Sequence, residues 1–215
     1  MFSLNNKNVL VTGAGGFIGS HLCAQLIKLG AKVTALIHYN SRSSYGNLDF
    51  LKDEEIESLN IIKGNIEDPY FIDYVSENID IIFHLAALIG IPYSYVSPLS
   101  YVKTNIEGTI NLLETSKQRN IKMIHTSTSE CYGTAIYTPI DESHPLQGQS
   151  PYSASKISAD KIVESYHNSF GANIITIRPF NVFGPGQSAR AIIPTIISQL
   201  IQSNNIEVGS TSPIR

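Results

Sequence analysis

Cysteine occurs only twice, at Cys23 and Cys131, and no Cys/His cluster has the spacing of a metal site. That scarcity argues against a disulfide framework and against structural zinc. Both thiols read as reduced side chains packed in apolar surroundings. Charge is also sparse: 15% of the 215 residues are charged, the formal net charge is −3, and no run of Lys or Arg forms a stripe. Nothing therefore supports nucleic-acid binding. No apolar run approaches the ~20 residues that a membrane span needs. The opening residues 1–7 lack a signal-peptide pattern and lead straight into a strand, which reads as a cytoplasmic chain. No segment repeats, and none is low in complexity.

What is present is alternation. Hydrophobic residues make up 42% of the chain, in short Val/Ile/Leu runs separated by amphipathic stretches. Strands are expected at 8–12, 32–37, 59–63, 80–84, 121–126 and 173–178. Helices are expected at 17–29, 68–77, 98–118 and 151–170, with a polar loop at 39–47. Continuous apolar strands between helices imply a parallel sheet covered on both faces. Right-handed crossovers then give an α/β, doubly wound, Rossmann-like sheet. The pattern changes after Arg178, where 179–186 is rich in Pro and Gly. A helix over 189–203 and a short strand at 206–208 follow. We expect a dinucleotide-binding domain over 1–181 and an incomplete C-terminal substrate domain over 182–215. Stopping at Arg215, the chain reads as a fragment or a truncated reading frame.

The first strand runs into Thr12-Gly13-Ala14-Gly15-Gly16-Phe17-Ile18-Gly19. Gly13, Gly16 and Gly19 stand three apart between a strand and a helix. Glycine allows a tight turn and close approach of a pyrophosphate, and the helix N-terminus offers N–H groups and partial positive charge. Gly13, Gly16, Phe17, Ile18 and Gly19 are thus candidate cofactor contacts. The end of the second strand lacks the acid that usually binds an adenosine ribose. His38 and Arg42 lie instead where a 2′-phosphate can be met, so NAD and NADP both stay open. Asn65 and Ile66, after the third strand, are placed to meet adenine. Leu85, Ala86 and Ala87, after the fourth, lie near the pyrophosphate and ribose.

The other informative stretch is Tyr152-Ser153-Ala154-Ser155-Lys156. Ser150 can cap this helix and Pro151 suits its first position. Tyr152 and Lys156 then share a face, one turn apart. An ammonium there is expected to lower the pKa of the phenol, and a phenolate can take a hydroxyl proton as hydride leaves the same carbon. Thr128 is placed to hydrogen-bond that hydroxyl. Glu130 follows at the carboxyl end of a parallel strand, facing the ligand crevice. Tyr93, Ser94 and Tyr95 are expected in a loop over the crevice. Asn105 reads as a packing or water-binding residue, Arg178 as either a structural or a functional cation, and Arg190 as a phosphate ligand or a surface charge.

These motifs resemble the extended short-chain dehydrogenase/reductase family of nucleotide-sugar enzymes, over essentially the whole chain. Thr128-Ser129-Glu130 is similar to the Thr-Ser-Glu set of GDP-mannose 4,6-dehydratases and departs from the Thr-Asp-Glu set of dTDP-glucose enzymes. Residues 86–95, 145–152 and 187–194 resemble the dehydratases that start legionaminic-acid synthesis, which act on a nucleotide-linked N-acetylglucosamine. The resemblance implies a tightly bound, recycled NAD or NADP and a UDP- or GDP-linked sugar substrate. It implies cofactor contact at Tyr152, Lys156 and Pro179, and substrate contact at Tyr93, Ser94, Asn181 and Arg190. A homodimer is implied too, built on the helices at 98–118 and 151–170.

In the implied reaction Tyr152 removes the 4-hydroxyl proton while hydride leaves C4. Glu130 removes the C5 proton that the new ketone acidifies, water leaves from C6, and hydride returns there. Either Ser129 orients the 6-hydroxyl or Glu130 itself returns the proton. An epimerase or a UDP-glucuronate decarboxylase, and a cofactor-binding module without turnover, are the other readings.

Overall fold

Strands of Val, Ile and Leu that are buried on both faces need helices on both sides, and each helix here supplies one apolar stripe. The computed structural model describes residues 4–40, 43–203 and 205–209. The chain runs β1 (Asn8–Thr12), α1 (Phe17–Lys28), β2 (Lys32–His38), a 3₁₀ turn (Gly46–Phe50), α2 (Asp53–Glu57), β3 (Leu59–Gly64), α3 (Pro69–Val75) and β4 (Ile81–His84). It continues through α4 (Ile91–Val96), α5 (Pro98–Tyr101), a π-helical turn (Val102–Glu107), α6 (Gly108–Arg119) and β5 (Lys122–Thr126). A 3₁₀ turn (Ser129–Cys131), α7 (Pro151–Phe170), β6 (Ile174–Ile177) and α8 (Ile192–Gln202) complete it.

The strands form one six-stranded sheet in the order β3-β2-β1-β4-β5-β6, and every pairing is parallel. Successive residues of β1 serve opposite faces: Val9 and Val11 pack with Cys23 and Leu26 of α1, whereas Leu10 packs with Leu112, Leu113 and Val163 from α6 and α7. The order reverses between β1 and β4. The carboxyl ends of these two strands therefore border the crevice in which such sheets bind ligands. Thr12 stands opposite His84 at that edge. No helix among the described residues is long and apolar enough to cross a membrane.

The fold departs from the sequence expectations in four places. The helix expected over 98–118 is interrupted by the π-helical turn Val102–Glu107, a local widening that is frequent at functional sites. Tyr93, Ser94 and Tyr95 belong to α4 and not to a loop, because Gly90-Ile91-Pro92 opens a helical turn with proline in its first positions. Residues 206–208 form no strand: Glu207 hydrogen-bonds through its backbone to both side-chain amide atoms of Gln199, which ties the segment to α8 and away from the sheet. The last helix starts at Ile192, because Ala189–Ala191 close a turn back onto Ser188.

The segment after β6 crosses the carboxyl edge of the sheet. His21 of α1 hydrogen-bonds the Pro185 carbonyl at 2.9 Å, and the Asn47 amide donates to the Gly186 carbonyl at 2.6 Å. These contacts hold residues 183–187 over the start of α1.

Candidate active site

The glycine turn has the geometry of a cradle. Gly13 has φ +71°, and a Cβ there would lie 2.8 Å from the backbone nitrogen of Ala86. At Gly19 a Cβ would lie 2.3 Å from the Gly13 carbonyl. The turn is thus closed to any other residue at both points. Helix α1 begins behind it with no side-chain cap and no acid in its first turn. Its N-terminal partial charge is left for a ligand, and the fit is that of a pyrophosphate. At the outer end of the crevice His38, Tyr39, Lys63, Gly64, Asn65, Asp68 and Phe71 line a cavity of about 420 Å³. Its position beyond β2 and β3 suits an adenosine.

A buried chain of hydrogen bonds links the turn to α7. Thr12 Oγ1 lies 2.8 Å from His84 Nδ1, and His84 Nε2 lies 3.0 Å from Thr109 Oγ1. Thr109 donates to the Asn105 carbonyl at 2.7 Å, and Thr12 Oγ1 accepts from the backbone N–H groups of Leu85 and Ala86. One proton arrangement satisfies every group: Thr12 donates to Nδ1, and His84 donates from Nε2 to Thr109. His84 is then neutral, consistent with burial pushing its pKa well below the ordinary value, with the neighbouring His125 ring and the Lys156 ammonium working the same way. Beyond it, the Asn105 side chain accepts from Leu88 N and donates to Leu88 O and to Ser155 Oγ. Ser155 in turn donates to the Tyr152 carbonyl. Asn105 thus joins the strip after β4 to α7, and the π-helical turn is what aims it inward.

The start of α7 is set by its own sequence. Ser150 Oγ accepts from Ser153 N at 3.0 Å, Ser153 Oγ accepts from Ser150 N at 2.9 Å, and Pro151 fills the first helical position. This cap fixes Tyr152 two residues later. The Tyr152 ring meets Tyr101 edge-on with centroids 6.3 Å apart, and its hydroxyl hydrogen-bonds Thr128. Burial raises the Tyr152 pKa, Thr128 works in the opposite direction, and Cys131 and Glu130 add to the rise. The lowering expected from Lys156 is therefore not what this site shows. The reason is geometric as well as dielectric: the Lys156 ammonium donates to the Thr126 carbonyl at 2.8 Å. Burial brings Lys156 itself down to about 8, against partial support from Asp160.

The strip after β5 carries the other candidates. Ser127 N and Ser129 N bond the carbonyls of Ile177 and Pro179, which extends the β5–β6 pairing past the sheet. Thr128 Oγ1 accepts from Glu130 N and opens the short 3₁₀ turn. Thr128, Ser129 and Glu130 are all half-buried at the crevice.

Other expected site residues are scattered. Phe17 packs edge-on against His21, while Ile18 is exposed. Ile66 is not in the adenosine cavity; it is buried in the core, where the missing Cβ of Gly108 makes room for it. Its neighbour Asn65 lines the cavity. Arg42 lies outside the described residues. Ser94 is fully buried and its hydroxyl is used by the Ile91 carbonyl, so it stands behind the crevice wall. Tyr93 is half-exposed and packs on Tyr101. Asn181 and Arg190 are exposed on the segment after β6, and the Arg190 charge is felt at the Tyr101 hydroxyl. Tyr101, Ser155, Ser127 and Asp160 border the site without being expected there from sequence. The signal for Asp160 is present in its spacing: it continues the Tyr152, Lys156 series by four.

With this arrangement in view, comparison with known proteins is decisive for the family. The family model described as GDP-mannose 4,6 dehydratase matches residues 10–215. The chain belongs to that family. It is 34% identical to a dTDP-D-glucose 4,6-dehydratase of Dictyostelium discoideum over 97% of this chain and 52% of the relative. It is 33% identical to the human dTDP-D-glucose 4,6-dehydratase over 92% of this chain and 57% of that one. The chain thus spans about half the length of these curated relatives. Among solved structures, a UDP-N-acetylglucosamine 4-epimerase from Methanobrevibacter ruminantium M1 superposes with TM-score 0.84 at 37% identity, covering 92% of this chain and 64% of that one. DesIV, a dTDP-glucose 4,6-dehydratase from Streptomyces venezuelae solved with NAD bound, gives TM-score 0.82 at 30% identity, covering 93% and 63%. This dehydratase-family member therefore has the same sheet and crevice as enzymes of both reaction types.

Proposed function

We propose that this chain is the dinucleotide-binding part of a nucleotide-sugar 4,6-dehydratase, with residues 182–215 opening its substrate domain. The observation that carries this reading is the placement of Glu130: it follows Thr128 in the strip above β5, and its charge acts on the Tyr152 phenol that Thr128 also holds. A nicotinamide dinucleotide fits the glycine turn and the adenosine cavity, and when bound it supplies a hydride acceptor and donor. Gly13, Gly16 and Gly19 would hold its pyrophosphate and Asn65 its adenosine; Tyr152, Lys156 and Pro179 would border the remainder. Its being NAD is supported by the NAD-bound DesIV. The substrate class we assign is a UDP- or GDP-linked N-acetylglucosamine, with Tyr93, Asn181 and Arg190 at the sugar and diphosphate end. Exposed Tyr95, Val96, Leu99 and Val102 beside the π-helical turn support a homodimer through that face.

The residues divide the work. Thr128 donates toward the Tyr152 oxygen and stabilises its anion, so Tyr152 can take the proton of the sugar 4-hydroxyl. Lys156 contributes a buried positive charge to the same site. Once C4 is a ketone, the C5 proton is acidic and Glu130 is the base that removes it. Loss of the C6 hydroxyl as water then requires a proton, which Glu130 returns or Ser129 relays.

An epimerase is the second reading, favoured by the identity to the Methanobrevibacter enzyme. The two separate cleanly by mass. The longest available form of the protein, given UDP- and GDP-N-acetylglucosamine, should yield a product lighter by one water, and Glu130→Gln should lose at least about 100-fold of that turnover. An isomer of unchanged mass, with Glu130→Gln still active, would establish the epimerase instead.

A further inference from the structure

Among the described residues one lysine and one carboxylate are fully buried, Lys156 and Asp160, each 3% exposed. They sit one turn apart on the inner face of α7. Both groups are engaged, and the Lys156 ammonium donates to the Thr126 carbonyl at 2.8 Å. The Asp160 carboxylate receives Ser127 Oγ at 2.9 Å and Arg178 Nε at 2.8 Å on one oxygen, and His125 Nε2 at 3.2 Å on the other. It thereby joins three elements: the end of β5, the segment after β6, and α7. Ser127 continues into Thr128 and Glu130. Arg178 extends to the Tyr132 hydroxyl at 3.3 Å and covers the Tyr132 ring. The strip that carries Thr128 and Glu130 is therefore held at both ends by groups that Asp160 anchors.

The charges give the anchor a second task. Lys156 and Arg178 are cations facing one small buried region. His125 does not add a third: burial keeps it below its ordinary pKa, so it serves Asp160 as a neutral N–H donor. Other titratable neighbours are His84, which burial holds well below its ordinary value, Cys131, whose thiol burial pushes up, and Tyr152. Burial alone would raise Asp160, but hydrogen bonds from His125, Ser127 and Arg178 outweigh it and keep the carboxyl ionised.

We propose that Asp160 is a positioning residue: its buried carboxylate, bonded to Ser127 and Arg178, holds the Thr128–Glu130 strip against α7 and is the counter-charge to the Lys156 ammonium one turn away. The proposal rests on the catalytic reading of Tyr152 and Lys156, but its test needs no substrate and so fails independently of that reading. The full chain is labelled with ¹³C-lysine, and the Lys156 signal is assigned with Lys156→Met and followed against pH. The midpoint in the wild type is expected near 8, and in Asp160→Asn lower by about one unit, a tenfold loss in proton affinity. Asp160→Glu, which restores the charge, is expected to recover most of that shift. A midpoint unchanged in Asp160→Asn overturns the proposal.

Removing one partner of a buried charge group can also prevent folding. Stability is therefore read in a double-mutant cycle with Lys156→Met. Asp160→Asn should cost less when combined with Lys156→Met than alone, and a single variant that fails to fold should be rescued in the combination. Equal costs in the two backgrounds, or two unfolded proteins, overturn it.

Discussion

At the residue scale, the role proposed for Lys156 competes with stability. Its ammonium is buried and its pKa falls from 10.5 to about 8. Below the folded value both states carry the proton, and the folded state bears the penalty, about 3 kcal/mol at neutral pH. Between pH 8 and 10.5 the unfolded chain binds more protons, so that penalty fades as pH rises. Lys156→Met removes it altogether. The Thr126 carbonyl then loses its donor, which costs about 1–2 kcal/mol. The variant should be more stable than the wild type at pH 7 by about 1–2 kcal/mol, a rise in melting temperature of about 2–8 °C. The gain should vanish near pH 10, and turnover should be lost. A melting temperature that drops at pH 7 would show that the lysine stabilises the fold outright. Glycine at 13 is constrained in the opposite sense. Its left-handed φ and the backbone of Ala86 leave no room for a side chain, so geometry and ligand approach demand the same residue.

At the scale of elements, α7 depends on its first turn. Ser150 and Ser153 each satisfy the other's backbone N–H, and Tyr152 lies between them. Ser150→Ala should cost about 1 kcal/mol, seen as a melting temperature lower by about 2–4 °C. Because the phenol sits in that turn, kcat should fall by more than KM changes; an effect on KM alone would place the cap outside catalysis. Much of this is legible in the sequence. The Ser-Pro start, the Tyr152 and Lys156 face, and the strand–turn–helix around Gly13 are all local patterns, and local patterns survive into structure. The six strands are legible for the same reason, since a parallel sheet buries near-continuous apolar runs. What escapes is set by partners distant in sequence. The π-helical turn follows from Asn105 reaching Leu88 and Ser155, which no helical period encodes. The failure of 206–208 to form a strand follows from Gln199 capturing Glu207. Ile66 goes to the core because Gly108 opens a gap for it from another helix.

At the scale of the whole molecule, the titrating groups combine into a stability profile. His84 and His125 are buried and neutral, with pKa values driven down mainly by burial. The unfolded histidines take up protons near 6.5, so their contribution is intact above that pH and is lost as pH falls below it. The lowered carboxyls add a further loss in stronger acid: Asp80, held by its bonds to Asn8 and Lys7, and Asp160, held by His125, Ser127 and Arg178 against the opposing effect of burial. On the alkaline side the sign reverses. Burial raises Tyr101, Tyr152 and Tyr166, the last to about 12. Those tyrosines stabilise the fold below pH 10, and that contribution is lost as pH rises from there through their folded values. Lys156 tilts the interval between, since its penalty shrinks from about pH 8 upward. The maximum melting temperature should therefore lie at about pH 8–10, with a steep fall below about pH 6. Scanning calorimetry across that range checks it, and the His84→Gln variant should flatten the acid limb. A maximum at or below about pH 6 would mean that histidine burial is not what limits this fold in acid. The same profile constrains the chemistry. The stable interval is the one in which Lys156 loses its proton, so activity should decline toward about pH 9 while the protein remains folded, and the two curves should separate there.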